Sequence, residues 1–171
     1  KYAGAAGSAT CSDCPAGKYY AEWGAAACSD CAAGTYSPSG STACIKCLAG
    51  SYSAFGASVC TQCSAGYYQG KTGASACTVC AKGYMSSAGS FQCTSCNKGY
   101  YASSTGSSSC TQCAKGTYST GTANIVCLKC ATGKYSDQSG ATVCESCDVG
   151  KYGANTGMTA CTSCAAHTYQ D

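Results

Sequence analysis

Large apolar side chains fall at one fixed place in a short repeat. A tyrosine recurs at Tyr19, Tyr36, Tyr52, Tyr68, Tyr101, Tyr118, Tyr135, Tyr152 and Tyr169, with Met85 substituting once. Two residues before it stands a glycine (Gly17, Gly34, Gly50, Gly66, Gly83, Gly99, Gly116, Gly133, Gly150), whose place His167 takes in the last unit. That glycine follows a C-x-x-C pair by three residues, and successive pairs are 16 or 17 residues apart. A second glycine (Gly24, Gly40, Gly56, Gly73, Gly89, Gly106, Gly140, Gly157) lies four residues ahead of the next pair. Positive φ suits the first glycine and a turn suits the second, so each unit reads as a tiny β-hairpin. The one-residue change in period falls between the tyrosine and the second glycine, where a loop tip absorbs an insertion. Unit seven departs, with Gly121 two residues early and Asn124-Ile125-Val126 ahead of Cys127, which predicts a different loop there. No apolar run approaches the roughly 18 residues of a membrane span.

Composition decides what holds such units together. Leucine, isoleucine, valine and phenylalanine number eleven in 171 residues, too few for an ordinary core. Twenty cysteines supply a covalent substitute, each disulfide contributing about 2–4 kcal/mol by constraining the unfolded chain. The expected fold is small and disulfide-rich: an elongated rod of ten short β-hairpin repeats with little regular secondary structure and no helix-based core. Residues 1–171 read as one continuous array, cut inside a repeat at both ends, with Lys1-Tyr2 and Thr168-Tyr169 as partial units. The tyrosines read as cover for the disulfides, the competing role being a ligand-facing aromatic ladder. Stable disulfides imply an oxidising compartment, hence an extracellular or cell-surface chain.

The pairs are Cys11/Cys14, Cys28/Cys31, Cys44/Cys47, Cys60/Cys63, Cys77/Cys80, Cys93/Cys96, Cys110/Cys113, Cys127/Cys130, Cys144/Cys147 and Cys161/Cys164. Zinc-ribbon spacing makes a metal array conceivable, but five four-thiolate sites would each carry a net charge of −2 with no arginine to balance it. Redox catalysis needs one activated pair, and ten equivalent pairs argue against a special one. Two disulfide patterns are open. In one, consecutive pairs join first to third and second to fourth, as Cys11 to Cys28 and Cys14 to Cys31, which leaves no odd thiol and is favoured for that reason. In the other, each unit closes its own loop, as Cys14 to Cys28 and Cys31 to Cys44, leaving Cys11 and Cys164 to find outside partners.

The string C-x-x-C-x-x-G-x-Y, carried for instance by Cys44-Ile-Lys-Cys47-Leu-Ala-Gly50-Ser-Tyr52, resembles the ephrin-receptor-like cysteine repeat over nearly the whole chain. That repeat is similar in turn to tumour-necrosis-factor-receptor modules and to the C-x-x-C arrays of protist surface and mastigoneme proteins. The resemblance implies an extracellular rod of small disulfide modules, and its module-type crosslinking supports the one-to-three, two-to-four pattern.

No side-chain constellation suggests catalysis, and no cofactor is expected: the only histidine is His167, which reads as a turn residue, and the seven carboxylates are isolated. Ten lysines against seven acids, scattered singly and without arginine, argue against a nucleic-acid partner. Thr42, Ser58, Ser75, Ser108, Thr142 and Thr159 hold one register, either bonding the local turn or forming a row of O-glycosylation sites. The expected function is that of a structural or adhesive glycoprotein, a segment of a surface filament that assembles with itself head to tail or laterally. The competing reading is a ligand-binding receptor ectodomain, for which Trp23 and Phe55 are the candidate contacts; a zinc-binding array comes third.

Overall fold

The computed structural model describes residues 11–22 and 25–165, and Trp23, Gly24, His167 and Tyr169 lie outside them. No helix occurs among the described residues. The chain divides into two compact units, one of Lys1–Val79 and Ser86–Cys93, the other of Cys80–Met85 and Thr94–Asp171.

Both units are built from one element, a two-residue strand after the first glycine paired antiparallel with the two residues inside the next C-x-x-C. In the first unit Lys18–Tyr19 pairs with Ser29–Asp30, Thr35–Tyr36 with Ile45–Lys46, Ser51–Tyr52 with Thr61–Gln62, and Tyr67–Tyr68 with Thr78–Val79. In the second, Tyr84–Met85 pairs with Thr94–Ser95, Tyr100–Tyr101 with Thr111–Gln112, Thr117–Tyr118 with Leu128–Lys129, Lys134–Tyr135 with Glu145–Ser146, and Lys151–Tyr152 with Thr162–Ser163. The small disulfide-rich hairpin fold is therefore as expected.

Each hairpin begins with a tight turn. The residue after the first glycine donates its N–H to the carbonyl three residues back, as from Ser51 to Leu48 (3.1 Å) and Thr117 to Ala114 (3.0 Å). This puts the glycine at the third turn position, where type II geometry demands positive φ, and Gly116 adopts +77°. A Cβ on Gly116 would also overlap the carbonyl oxygen of Gly157, which belongs two loops further on.

The second glycine does not close the hairpin as expected. It lies in the long connection between the two strands and docks that connection onto the preceding loop. Gly56 donates its N–H to Cys31 O and Gly73 to Cys47 O (both 2.8 Å), as does Gly140 to Cys113 O (2.7 Å). Unit seven follows the same plan, against expectation. Ala123, four residues ahead of Cys127, takes the glycine's role at φ +56°, the one non-glycine residue with positive φ among those described, and donates to Cys96 O at 2.8 Å. The docking bond and register are retained at a conformational cost of about 1–2 kcal/mol. What differs is local: Asn124 Nδ2 donates to Gly121 O (2.6 Å) and Tyr100 O (3.3 Å).

Two substitutions separate these constraints. In guanidinium unfolding of the oxidised protein, Gly116→Ala should destabilise by about 2 kcal/mol or more, from positive φ and backbone overlap together. Ala123→Gly should stabilise by roughly 1 kcal/mol, because it relieves a left-handed alanine without removing a packed side chain.

Candidate functional site: the disulfide and serine spine

The centre of each repeat is a disulfide between the second cysteine of one pair and the first of the next. The bonds are Cys14–Cys28, Cys31–Cys44, Cys47–Cys60, Cys63–Cys77, Cys96–Cys110, Cys113–Cys127, Cys130–Cys144 and Cys147–Cys161, with Cα atoms 5.6 to 5.8 Å apart. Cys80 and Cys93 are disulfide-bonded as well. Cys11, exposed, and Cys164, half-buried, have no partner within the chain.

This overturns the favoured one-to-three, two-to-four pattern and with it any intrachain disulfide at Cys11 or Cys164. The physical reason is strand parity. The two residues inside each pair are extended, so cysteines three apart project to opposite sides of the ribbon. One bonds to the loop behind and the other to the loop ahead, so a pair does not offer both thiols to one neighbouring pair. With their thiols oxidised, these cysteines also cannot supply the four-thiolate zinc sites that the spacing allowed.

Cys14, Cys31, Cys47, Cys63, Cys80, Cys96, Cys113 and Cys130 are wholly buried, whereas the repeat tyrosines from Tyr19 to Tyr135 are half-exposed and Tyr152 is exposed. Three of the rings line an open groove with the closing cysteine of the next loop: Tyr36 with Cys60, Tyr52 with Cys77, and Tyr118 with Cys144. Tyr135 donates its hydroxyl to Glu145 Oε2 (2.9 Å), and this bond with the carboxylate's charge raises the phenol pKa above its ordinary value.

A second row of buried residues escaped the reading of the sequence. The position after the repeat tyrosine holds Ser37, Ser53, Ser86, Ser119 and Ser136, all at most 5% exposed. Ser37, Ser53 and Ser86 donate their hydroxyls to the carbonyls of Lys18, Thr35 and Tyr67 in the preceding loop, each at 2.9 Å. Their backbones join the same contact: Gly34 N–H donates to Ser53 O (2.9 Å), and Ser53 N–H donates onward to Ala74 O (3.2 Å). Where the residue is serine, its hydroxyl gives the preceding loop's carbonyl a donor in a part-buried setting, although the register also admits Tyr20 and Gln69. The signal in the sequence was five serines at one register, unremarked because serine is common in this chain.

Thr42, Ser58, Ser75, Ser108, Thr142 and Thr159 are all exposed. In two repeats the residue before them bonds the local turn with its side chain, Ser41 Oγ donating to Pro38 O (2.7 Å) and Ser107 Oγ to Ser104 O (2.9 Å). Phe55 is 70% exposed. No group of three or more histidine, cysteine, aspartate or glutamate side chains able to hold a metal ion occurs among the described residues. No helix among them is long and apolar enough to cross a membrane.

Closed disulfide loops, two-residue hairpins and a backbone-to-backbone relay define a cysteine-rich repeat module of extracellular type. The chain belongs to the family described as tyrosine-protein kinase ephrin type A/B receptor-like, whose sequence profile matches residues 1–35, 83–125 and 102–147, more than half of its length. A search of curated proteins found no match. Family and disulfide content together indicate a secreted or surface-exposed protein.

Removing one hydroxyl of the serine row tests its part in the spine. Ser53→Ala should cost about 1–2 kcal/mol in denaturant unfolding, since it strips the part-buried Thr35 carbonyl of its side-chain donor. Thr42→Ala, at an exposed position, should change stability by less than about 0.5 kcal/mol.

Proposed function

We propose that this protein is a non-catalytic structural or adhesive component of an extracellular filament or cell surface, its repeats serving to propagate a uniform scaffold. The observation that carries the reading is the uniformity of the inter-repeat bonds. Within each unit the first glycine donates to the next loop at the same register, as Gly17 to Ser37 O, Gly34 to Ser53 O and Gly50 to Gln69 O, and then Gly83 to Ala102 O, Gly99 to Ser119 O and Gly116 to Ser136 O. Bonds made by backbone do not depend on the variable side chains, so such a scaffold extends by adding repeats without new specificity. A receptor ectodomain, the competing reading, would be expected to concentrate atypical contacts in one or two repeats, and exposed Phe55 is the best candidate among the described residues.

The self-association in this reading draws on the two cysteines that the staggered disulfides leave over. Cys11 holds the register of a loop-closing cysteine, like Cys28, and Cys164 that of a loop-opening one, like Cys14. In this register each would close a loop of the standard kind with a cysteine of an adjoining repeat, supplied either by more of the same array or by another copy joined head to tail. The row of exposed hydroxyls from Thr42 to Thr159 suits O-glycans on the assembled surface.

Mixing two single-cysteine variants under mild oxidation tests the assembly. Cys11→Ser and Cys164→Ser should each stay monomeric alone and form a disulfide dimer when mixed, while the unmutated chain gives a ladder on a non-reducing gel. Equal dimerisation of each variant by itself, or no dimer in the mixture, would contradict head-to-tail joining and leave the receptor reading ahead.

A further inference from the structure

The lysines, scattered along the sequence, acquire an order once the turns are known. In the second unit every tight turn carries one: Lys82, Lys98 and Lys115 stand just before the turn glycine, Lys134 and Lys151 just after it. All five are exposed. Among the described residues of the first unit only Lys18 occupies such a turn, and it is neutralised by Asp30 across the hairpin at 2.8 Å. Lys82, Lys98, Lys115 and Lys134 form no ion pair with a described residue, and Lys151 makes one exposed contact with Asp148 at 3.5 Å. No acidic residue occurs between Cys31 and Ser136, so the turns at Lys82, Lys98 and Lys115 lie in a stretch of chain without anionic neighbours in sequence.

We infer that the turn face of the second unit binds a linear acidic polysaccharide, one bearing sulfate or uronate groups. Lys82, Lys98 and Lys115, delivered once per repeat at the same turn position, match a polymer that carries its anions at regular intervals, and Lys134 and Lys151 add charge just past the glycine. The attraction of the first three gains from counterion release and from the absence of acidic residues in their stretch of sequence, whereas Asp148 stands in the turn of Lys151 and Glu145 lies opposite Tyr135, next to Lys134. Lysine without arginine provides point charges rather than the planar forks suited to base edges or paired phosphate oxygens, which disfavours a nucleic acid. Tyr84 and Tyr100 end two of these turns with rings 37% and 36% exposed, and Gln112 Nε2 donates to Tyr100 Oη at 3.1 Å, giving an apolar face and a polar edge of the kind a sugar ring uses. A secreted chain meets such glycans where its disulfides persist.

Heparin, as the sulfated probe, and polygalacturonate, as the carboxylated one, test this directly against two charge-matched variants of the oxidised chain. One carries Lys82→Gln, Lys98→Gln, Lys115→Gln and Lys134→Gln; the other carries Lys18→Gln, Lys46→Gln, Lys71→Gln and Lys129→Gln. Intact mass and circular dichroism establish that each variant keeps its disulfides and fold. The turn-face variant should lose about tenfold or more in affinity for at least one polysaccharide at roughly 50 mM salt, and the control about threefold or less, with the difference vanishing at high salt. Equal losses in both variants would reduce the effect to net charge and overturn the assignment, as would absence of binding to either polysaccharide. Turn-face-dependent binding to phosphatidylserine vesicles with unchanged polysaccharide binding would overturn it in favour of a membrane surface.

Discussion

Everything in this fold depends on the opposite directions taken by two cysteines three residues apart on an extended ribbon. Because one thiol faces back and the other forward, the C-x-x-C segment is shared by two loops. It is the closing strand of one hairpin and leads straight into the opening turn of the next. Each disulfide spans 13 or 14 residues of sequence, short enough to fix a hairpin that two residue pairs of strand could not hold alone. Had both cysteines of a pair bonded to a single neighbouring pair, the array would separate into two-repeat modules with weak joints. The staggered scheme distributes the crosslinks evenly along the chain.

Covalent closure sets each loop, and close backbone approach sets how loops follow one another. The first glycine donates to the next loop and leaves room for the carbonyl of the loop after it, the second docks on the preceding cysteine's carbonyl, and a serine hydroxyl caps the remaining acceptor. These contacts admit almost no side-chain volume, which explains why a chain nearly devoid of large aliphatics folds at all. Its interior consists mainly of sulfur, glycine backbone and serine, with Tyr20 and Ala102, and large apolar groups such as Leu48, Val59 and Val149 lie outside. The variable residues, the turn lysines among them, consequently face solvent and are available for recognition.

Much of this was legible in the sequence. The period, the left-handed first glycine and the hairpin follow from the recurring Cys, Gly and Tyr positions, and the choice of disulfide over metal from the charge that thiolate sites would carry. The pairing was misjudged by counting odd thiols rather than the parity of the residues between Cys28 and Cys31, an argument that needs only the recognition that Ser29–Asp30 is a strand. Ala123 was unreadable for a different reason: alanine does not announce a left-handed conformation, and the nearby Gly121 drew the turn to itself. The serine row and the lysine-bearing turns were visible as letters but not as positions. Their meaning depends on which residues the next loop covers.

Mapping the disulfides of the native chain tests the staggered scheme most directly, by proteolysis without reduction at low pH followed by mass spectrometry of the linked peptides. Links within one loop, such as Cys47 to Cys60 and Cys113 to Cys127, with Cys11 and Cys164 the only thiols not committed to the chain's own loops, are the predicted result. Links of Cys44 to Cys60 together with Cys47 to Cys63 would contradict it, and with it the shared C-x-x-C segment on which the account of the fold rests.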